Sequence, residues 1–143
     1  MLQTLREGCA RSATFRAIVE QLEVTSTIVY VEHGVCGFGH FKACLPNAIT
    51  VVGNTRFLRI IVEPGTGGAE QLALLGHELQ HALEIARAPN IRSADDVSSL
   101  FQRIGRSPHC PQGMPACYET SEALAIGDAV LAEVLKSQKT KRR

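Results

Sequence analysis

The stretch from Ala69 to Ala86 constrains the rest of the chain. Leu72, Leu75, Leu79, Ala82, Leu83 and Ala86 recur at helical spacing and make one apolar stripe. A stripe of that length has to be buried, so the chain must supply a second layer around one long helix. Pro89 ends the helix, because the residue before a proline disfavours the α region. Inside this helix lies GHELQHALEI, Gly76 to Ile85, with two histidines four apart and a glutamate directly after the first.

The flanking sequence supplies the partners. Leu5, Cys9, Phe15, Ile18, Val19 and Leu22 predict one helix over Thr4 to Leu22. Thr27 to Glu32 is rich in β-branched and aromatic residues and predicts a buried strand. Ala48 to Val52 and Phe57 to Val62 predict two more, joined by the turn signal Gly53-Asn54 and hence antiparallel. Pro64 to Gly68 stops the third strand. After the site helix, Ser93 is the expected N-cap of a helix that buries Val97, Leu100, Phe101 and Ile104 and ends at Gly105. Arg106 to Cys117 holds three prolines and a glycine and reads as a loop. A last helix is expected from about Glu119 to Lys136. The order predicts an α+β fold: a three-stranded, mainly antiparallel sheet with the site helix and C-terminal helices packed on it. One domain over residues 1–135 is expected, then a basic flexible tail, KSQKTKRR, over 136–143.

Charge and cysteine usage narrow the partners. A net charge of +1 leaves no electrostatic footprint for nucleic acid. No apolar run reaches the roughly 18–20 residues that span a bilayer, so no membrane span is expected. The N-terminus lacks a continuous apolar segment of signal-peptide type, which as it stands predicts a cytoplasmic protein. The five cysteines include no CxxC pair. Cys36/Cys44 and Cys110/Cys117 are each spaced to close a short loop, and disulfides there would predict an exported protein instead. His33, Cys36, His40 and Cys44 also offer two nitrogens and two sulfurs, the composition of a structural zinc site. A disulfide or plain thiols are the competing readings of that segment. The sequence leaves the oligomeric state open.

The chemistry concentrates in GHELQHALEI. Residues i and i+4 share a helix face, so His77 and His81 can both reach one ion. Zinc takes imidazole nitrogen at roughly 2.0–2.1 Å. Glu78 points about 100° round the helix and suits a general base rather than a third ligand. Five histidines and 11 glutamates in 143 residues would give roughly 0.013 HExxH matches by chance. One Zn2+ per chain is therefore expected. A catalytic zinc needs a third protein ligand and one open position. Glu84 to Arg92 contains no histidine, so the third ligand has to come from elsewhere. The segment CYETSEALAIGDA offers Glu119, Glu122 and Asp128. Glu119 and Glu122 are one turn apart on the last helix, so one could ligate while the other bonds a ligand histidine. Either acid could instead serve the positive start of the helix. Tyr118, His109 and Arg92 are candidate donors to an oxyanion.

Three stretches carry a resemblance: GHELQHALEIA, the RIG of Arg103 to Gly105, and YETSEALAIG. Together with IVYVE and LPNAITVVGNTRFLRIIV they resemble small bacterial HExxH proteins, metallopeptidases of the gluzincin type with undefined substrate. The resemblance implies a zincin-like fold and favours Glu119 as the third ligand over Glu122. It also implies an edge strand beside the cleft, for which Phe57 to Val62 is the candidate, able to pair with an extended peptide. The two cysteine pairs depart from that family. The expected function is zinc-dependent hydrolysis of a peptide or protein substrate with Glu78 as base. The alternative is a non-catalytic binding protein on the same scaffold with a structural zinc, which would have no need of Glu78.

Overall fold

The computed structural model describes residues 1–37, 41–105 and 119–141, with side chains through 139. Along them run helices α1 (Leu2–Arg11) and α2 (Ala13–Glu23), then strands β1 (Thr27–His33), β2 (Ala43–Cys44), β3 (Thr50–Val52) and β4 (Thr55–Val62). Helices α3 (Gly68–Arg87), α4 (Ala94–Ile104) and α5 (Ser121–Lys141) follow. The fold is α+β, as expected.

The sheet differs from expectation. Among the described residues it is mixed and four-stranded, with β4 at its centre. β1 runs parallel to β4, from Thr27↔Arg56 to His33↔Val62. On the other side β2 pairs antiparallel through Ala43↔Val62 and Cys44↔Ile61, and β3 through Thr50↔Phe57 to Val52↔Thr55. The β3–β4 hairpin matches the turn signal, with Gly53 at φ 58, a region that favours glycine. Phe57 to Val62 is thus no edge strand: both sides of β4 are occupied, and its backbone is closed to an extended peptide. Ile60, Ile61 and Val62 are buried in succession, the pattern of a central strand rather than an edge. β2, two residues long, is too short to carry a periodic signal.

The predicted helix over Thr4 to Leu22 is two helices. Ser12 leaves helical geometry (φ −135°, ψ 121°), and its Oγ accepts from the Phe15 N–H at 2.9 Å, capping α2. The Phe15 ring folds back onto Gly8, where a Cβ would stand 2.7 Å from Phe15 Cε1. Only glycine permits that approach.

α3 lies between the sheet and α5. Its Leu72, Leu75, Leu79 and Leu83 are buried in one cluster with Leu58, Ile60 and Val62 of β4, Phe15 and Ile18 of α2, and Val130 and Val134 of α5. Each such side chain contributes about 1.5–3 kcal/mol by leaving water. Arg56 of β4 closes the end of α3: its guanidinium donates to the carbonyls of Ile85, Ala86 and Ala88 at 3.0, 2.7 and 2.6 Å. Gly76 lets α5 come near, since a Cβ there would be 3.0 Å from Val130 Cγ2. α4 starts at the predicted cap, with Ser93 and Asp96 forming a reciprocal capping box. α5 continues past the predicted end at Lys136, as far as Lys141.

Candidate metal centre

The one-turn spacing on α3 brings His77 and His81 side by side, with Nε2 atoms 3.2 Å apart. Glu119 joins them from a different part of the chain. Its Oε2 lies 3.0 Å from His77 Nε2 and 3.8 Å from His81 Nε2. Tetrahedral nitrogen and oxygen ligands at roughly 2.0–2.1 Å from zinc stand about 3.3 Å apart, so these spacings suit one ion. Glu119 Oε2 is buried and makes no well-formed hydrogen bond despite its closeness to His77. An orphaned carboxylate oxygen facing two imidazole nitrogens is what a cation would satisfy. Side-chain exposure rises from 8% at His81 through 15% at His77 to 37% at Glu119, so the cluster opens to solvent on the Glu119 side. That leaves a way in for a further ligand. Among the described residues this is the group able to hold a metal.

The surrounding residues orient the ligands. His81 Nδ1 donates to Glu84 Oε2 at 2.9 Å, which leaves Nε2 unprotonated towards His77 and Glu119 in the neutral ring. Glu84 Oε1 in turn accepts from Thr120 Oγ1 at 2.6 Å, and the same hydroxyl accepts from the Ala123 N–H at 3.1 Å, capping α5. Phe101 packs edge-on against the His81 ring, centroids 5.1 Å apart. On the far side, Gly127 of α5 faces His77: a Cβ there would be 3.5 Å from His77 Cβ.

Two expectations about the acids need correction. Glu119 lies outside the helix, because α5 begins at Ser121, so Glu119 and Glu122 do not share a helical face. Glu122 does not bond a ligand histidine; it accepts from Gln80 Nε2 at 3.1 Å. Glu84 has that role instead. Helical spacing could have found Glu84, three residues after His81. Thr120 carried no such signal beyond being a hydroxyl residue ahead of a helix.

Glu78 points off the ligand line, as its place in the helix requires, and is buried. Its carboxylate accepts from the Leu45 backbone N–H, just after β2. Burial pushes its pKa up, against the pull of His81 and His77. Burial also opposes charge on His81, but Glu119, Glu84 and Glu78 outweigh it and raise the imidazole to about 9. Burial raises Glu119 too, yet the two histidines draw it down to about 2. A pocket that holds a proton on a buried imidazole has negative potential, the environment a cation requires.

The other sequence candidates fare differently. The Arg92 guanidinium donates to the Gly53 carbonyl at 3.0 Å in the β3–β4 turn, so it is committed there rather than to an oxyanion. Cys36 and Cys44 form a disulfide, Cα atoms 6.0 Å apart, which removes both sulfurs from the alternative zinc site with His33 and His40. His40, His109, Cys110, Cys117 and Tyr118 lie outside the described residues. No described helix is long and apolar enough to cross a membrane. No protein-family model matches the chain, and no curated protein or solved structure matches it.

Proposed function

We propose that this chain is a zinc-dependent peptidase of the gluzincin type, with His77, His81 and Glu119 as ligands and Glu78 as general base. The observation that carries the reading is the convergence of two Nε2 atoms and the orphaned Glu119 Oε2, with a buried carboxylate one residue after the first histidine. Two imidazoles and one carboxylate form a donor set that suits zinc and leaves a coordination position open. Zinc held there would supply Lewis acidity, polarising a substrate carbonyl and acidifying a water. Glu78 takes the proton from the attacking water and passes it to the leaving amine. The Leu45 N–H favours the charged, proton-accepting form of the Glu78 carboxylate. Glu84 and Thr120 keep the His81 ring turned so that Nε2 faces His77 and Glu119, where it would be free to ligate. The Cys36–Cys44 disulfide supports an oxidising, exported setting.

Metal analysis and a peptide-library cleavage assay on three proteins test this. Wild type is expected to hold one zinc per chain. Glu78→Gln keeps the metal and loses activity on the order of 10²–10⁴-fold. His81→Ala loses the metal. A wild-type chain that takes up no zinc from metal-replete buffer sinks the site. One that holds zinc and cleaves nothing leaves the non-catalytic alternative.

A further inference from the structure

Among the described residues, β1 forms the edge of the sheet opposite β2. The bonds Arg56 N–H to Ser26 O and Gly34 N–H to Val62 O set its phase: even-numbered residues turn their backbone groups towards β4. Thr27, Val29, Val31 and His33 therefore point theirs outward. Among the described residues, the outward group with a partner is the Thr27 N–H, which the Thr25 hydroxyl takes at 3.1 Å. Edges of this kind are normally defended by lysine, proline or a bulge. Thr27-Ile-Val-Tyr-Val-Glu-His33 has no lysine or proline, and its register with β4 is unbroken.

The side chains are as unguarded as the backbone. Ile28 and Tyr30 are 45% and 56% exposed on the sheet face away from the helices, and Tyr30 stacks on Phe57, centroids 6.3 Å apart. The centre of the strand, Val29-Tyr30-Val31, reads the same in both directions. A two-fold axis at Tyr30 would set Val29 against the partner's Val31 and Ile28 against the partner's Glu32. Tyr30 would meet its own copy in the closely spaced type of pair, Cα atoms roughly 4.5 Å apart. No like charges meet, and Glu32 keeps its pair with Arg59 at 3.3 Å. Six hydrogen bonds result: four from the two Val29–Val31 pairs and two from His33 N–H to Thr27 carbonyl. The aromatic row then runs unbroken across the axis, from Phe57 through both tyrosines.

We propose that the chain forms a homodimer through antiparallel pairing of β1 with β1 of a second copy, giving one continuous sheet. The metal centre stays open, because Leu45 and its contact with Glu78 lie beyond β2, at the other edge. One strand per copy is a small interface beside the roughly 1,200–2,000 Å² of standard complexes, so the dimer depends on concentration.

Sedimentation equilibrium of the full chain, from about 10 μM to 1 mM, is expected to show the mass rising from 15.5 kDa towards twice that. Val31→Pro removes an outward N–H and no bond to β4; Tyr30→Lys places a charge at the axis. Each is expected to weaken association at least about tenfold with the far-UV circular dichroism unchanged. Leu124→Lys, on exposed α5 surface, is expected to change nothing. Tyr30→Cys in a background with Cys9, Cys110 and Cys117 replaced by serine gives a reading that needs no loss of association: mild oxidation should trap a reducible dimer that the same background without Tyr30→Cys does not form. A wild-type chain still monomeric at the top of that range overturns the proposal. So does a dimer that survives Tyr30→Lys, yields to Leu124→Lys, or fails to cross-link through the thiol introduced by Tyr30→Cys.

Discussion

The two nitrogens of His81 face different partners, and the centre depends on keeping them distinct. Nδ1 is held by Glu84, and Glu84 by the Thr120 hydroxyl. Thr120→Val keeps the shape and removes that hydroxyl. It frees one oxygen of a buried carboxylate and uncaps α5, at a cost of about 1–2 kcal/mol in stability. Because Glu84 then no longer fixes the ring, zinc affinity is expected to fall about 10–100-fold. Chelator competition well below the melting temperature measures it, and Thr120→Ser should restore it. Unchanged affinity in Thr120→Val would leave Thr120 a cap and nothing more. The pairing of His77 with His81 was legible from spacing alone, because a helix enforces it locally. Glu119 was one of three acids offered by a distant segment, and the residues alone did not choose it over Glu122, since no local rule links a residue to one 38 positions away.

At the scale of elements, the joint between α1 and α2 depends on Glu133 of α5. Its Oε2 accepts from Ser12 Oγ at 2.6 Å and from the Thr14 N–H at 3.1 Å, and its Oε1 accepts from Thr14 Oγ1 at 2.8 Å. Despite some opposing desolvation, those bonds hold its pKa below the ordinary 4.5. A carboxylate depressed on folding stabilises fully above its unfolded pKa and loses that contribution as pH falls through the folded value. Glu133→Gln is therefore expected to cost about 1 kcal/mol at pH 7, a modest figure for a half-exposed group. The gap to wild type should close in melts well below pH 4.5. A gap that persists in acid would assign the effect to packing. The split itself was hidden from periodicity: Phe15 continues the apolar spacing begun by Leu5, and the third residue after Ser12 is Phe15 rather than the glutamate of a capping box. Ser93, with Asp96 three residues on, carried the fuller signal, and α4 starts where that signal predicts.

Across the whole molecule, strand order was the part least legible in advance. Helices and hairpins follow from neighbours in sequence, whereas the parallel union of β1 with β4 joins segments 29 residues apart, and β2 exists only because β4 has a side to fill. The disulfide secures this arrangement. Cys36 follows β1 and Cys44 is in β2, so the bond ties the chain leaving one outer strand to the outer strand on the far side of β4. Closing a loop over a separation of 8 residues stabilises by about 2–3 kcal/mol on chain-entropy grounds. Cys36→Ser/Cys44→Ser should lower stability in denaturant by about that amount. The proposed zinc ligands come from α3 and from Glu119, not from β2, so bound zinc should stay at the wild-type level. Leu45 follows Cys44 directly, and its N–H is what Glu78 accepts from. Loosening β2 should therefore lower kcat while KM and zinc content hold. Loss of zinc in parallel with activity would mean that the disulfide supports the metal centre as a whole. Unchanged kcat would mean that Glu78 needs no help from β2.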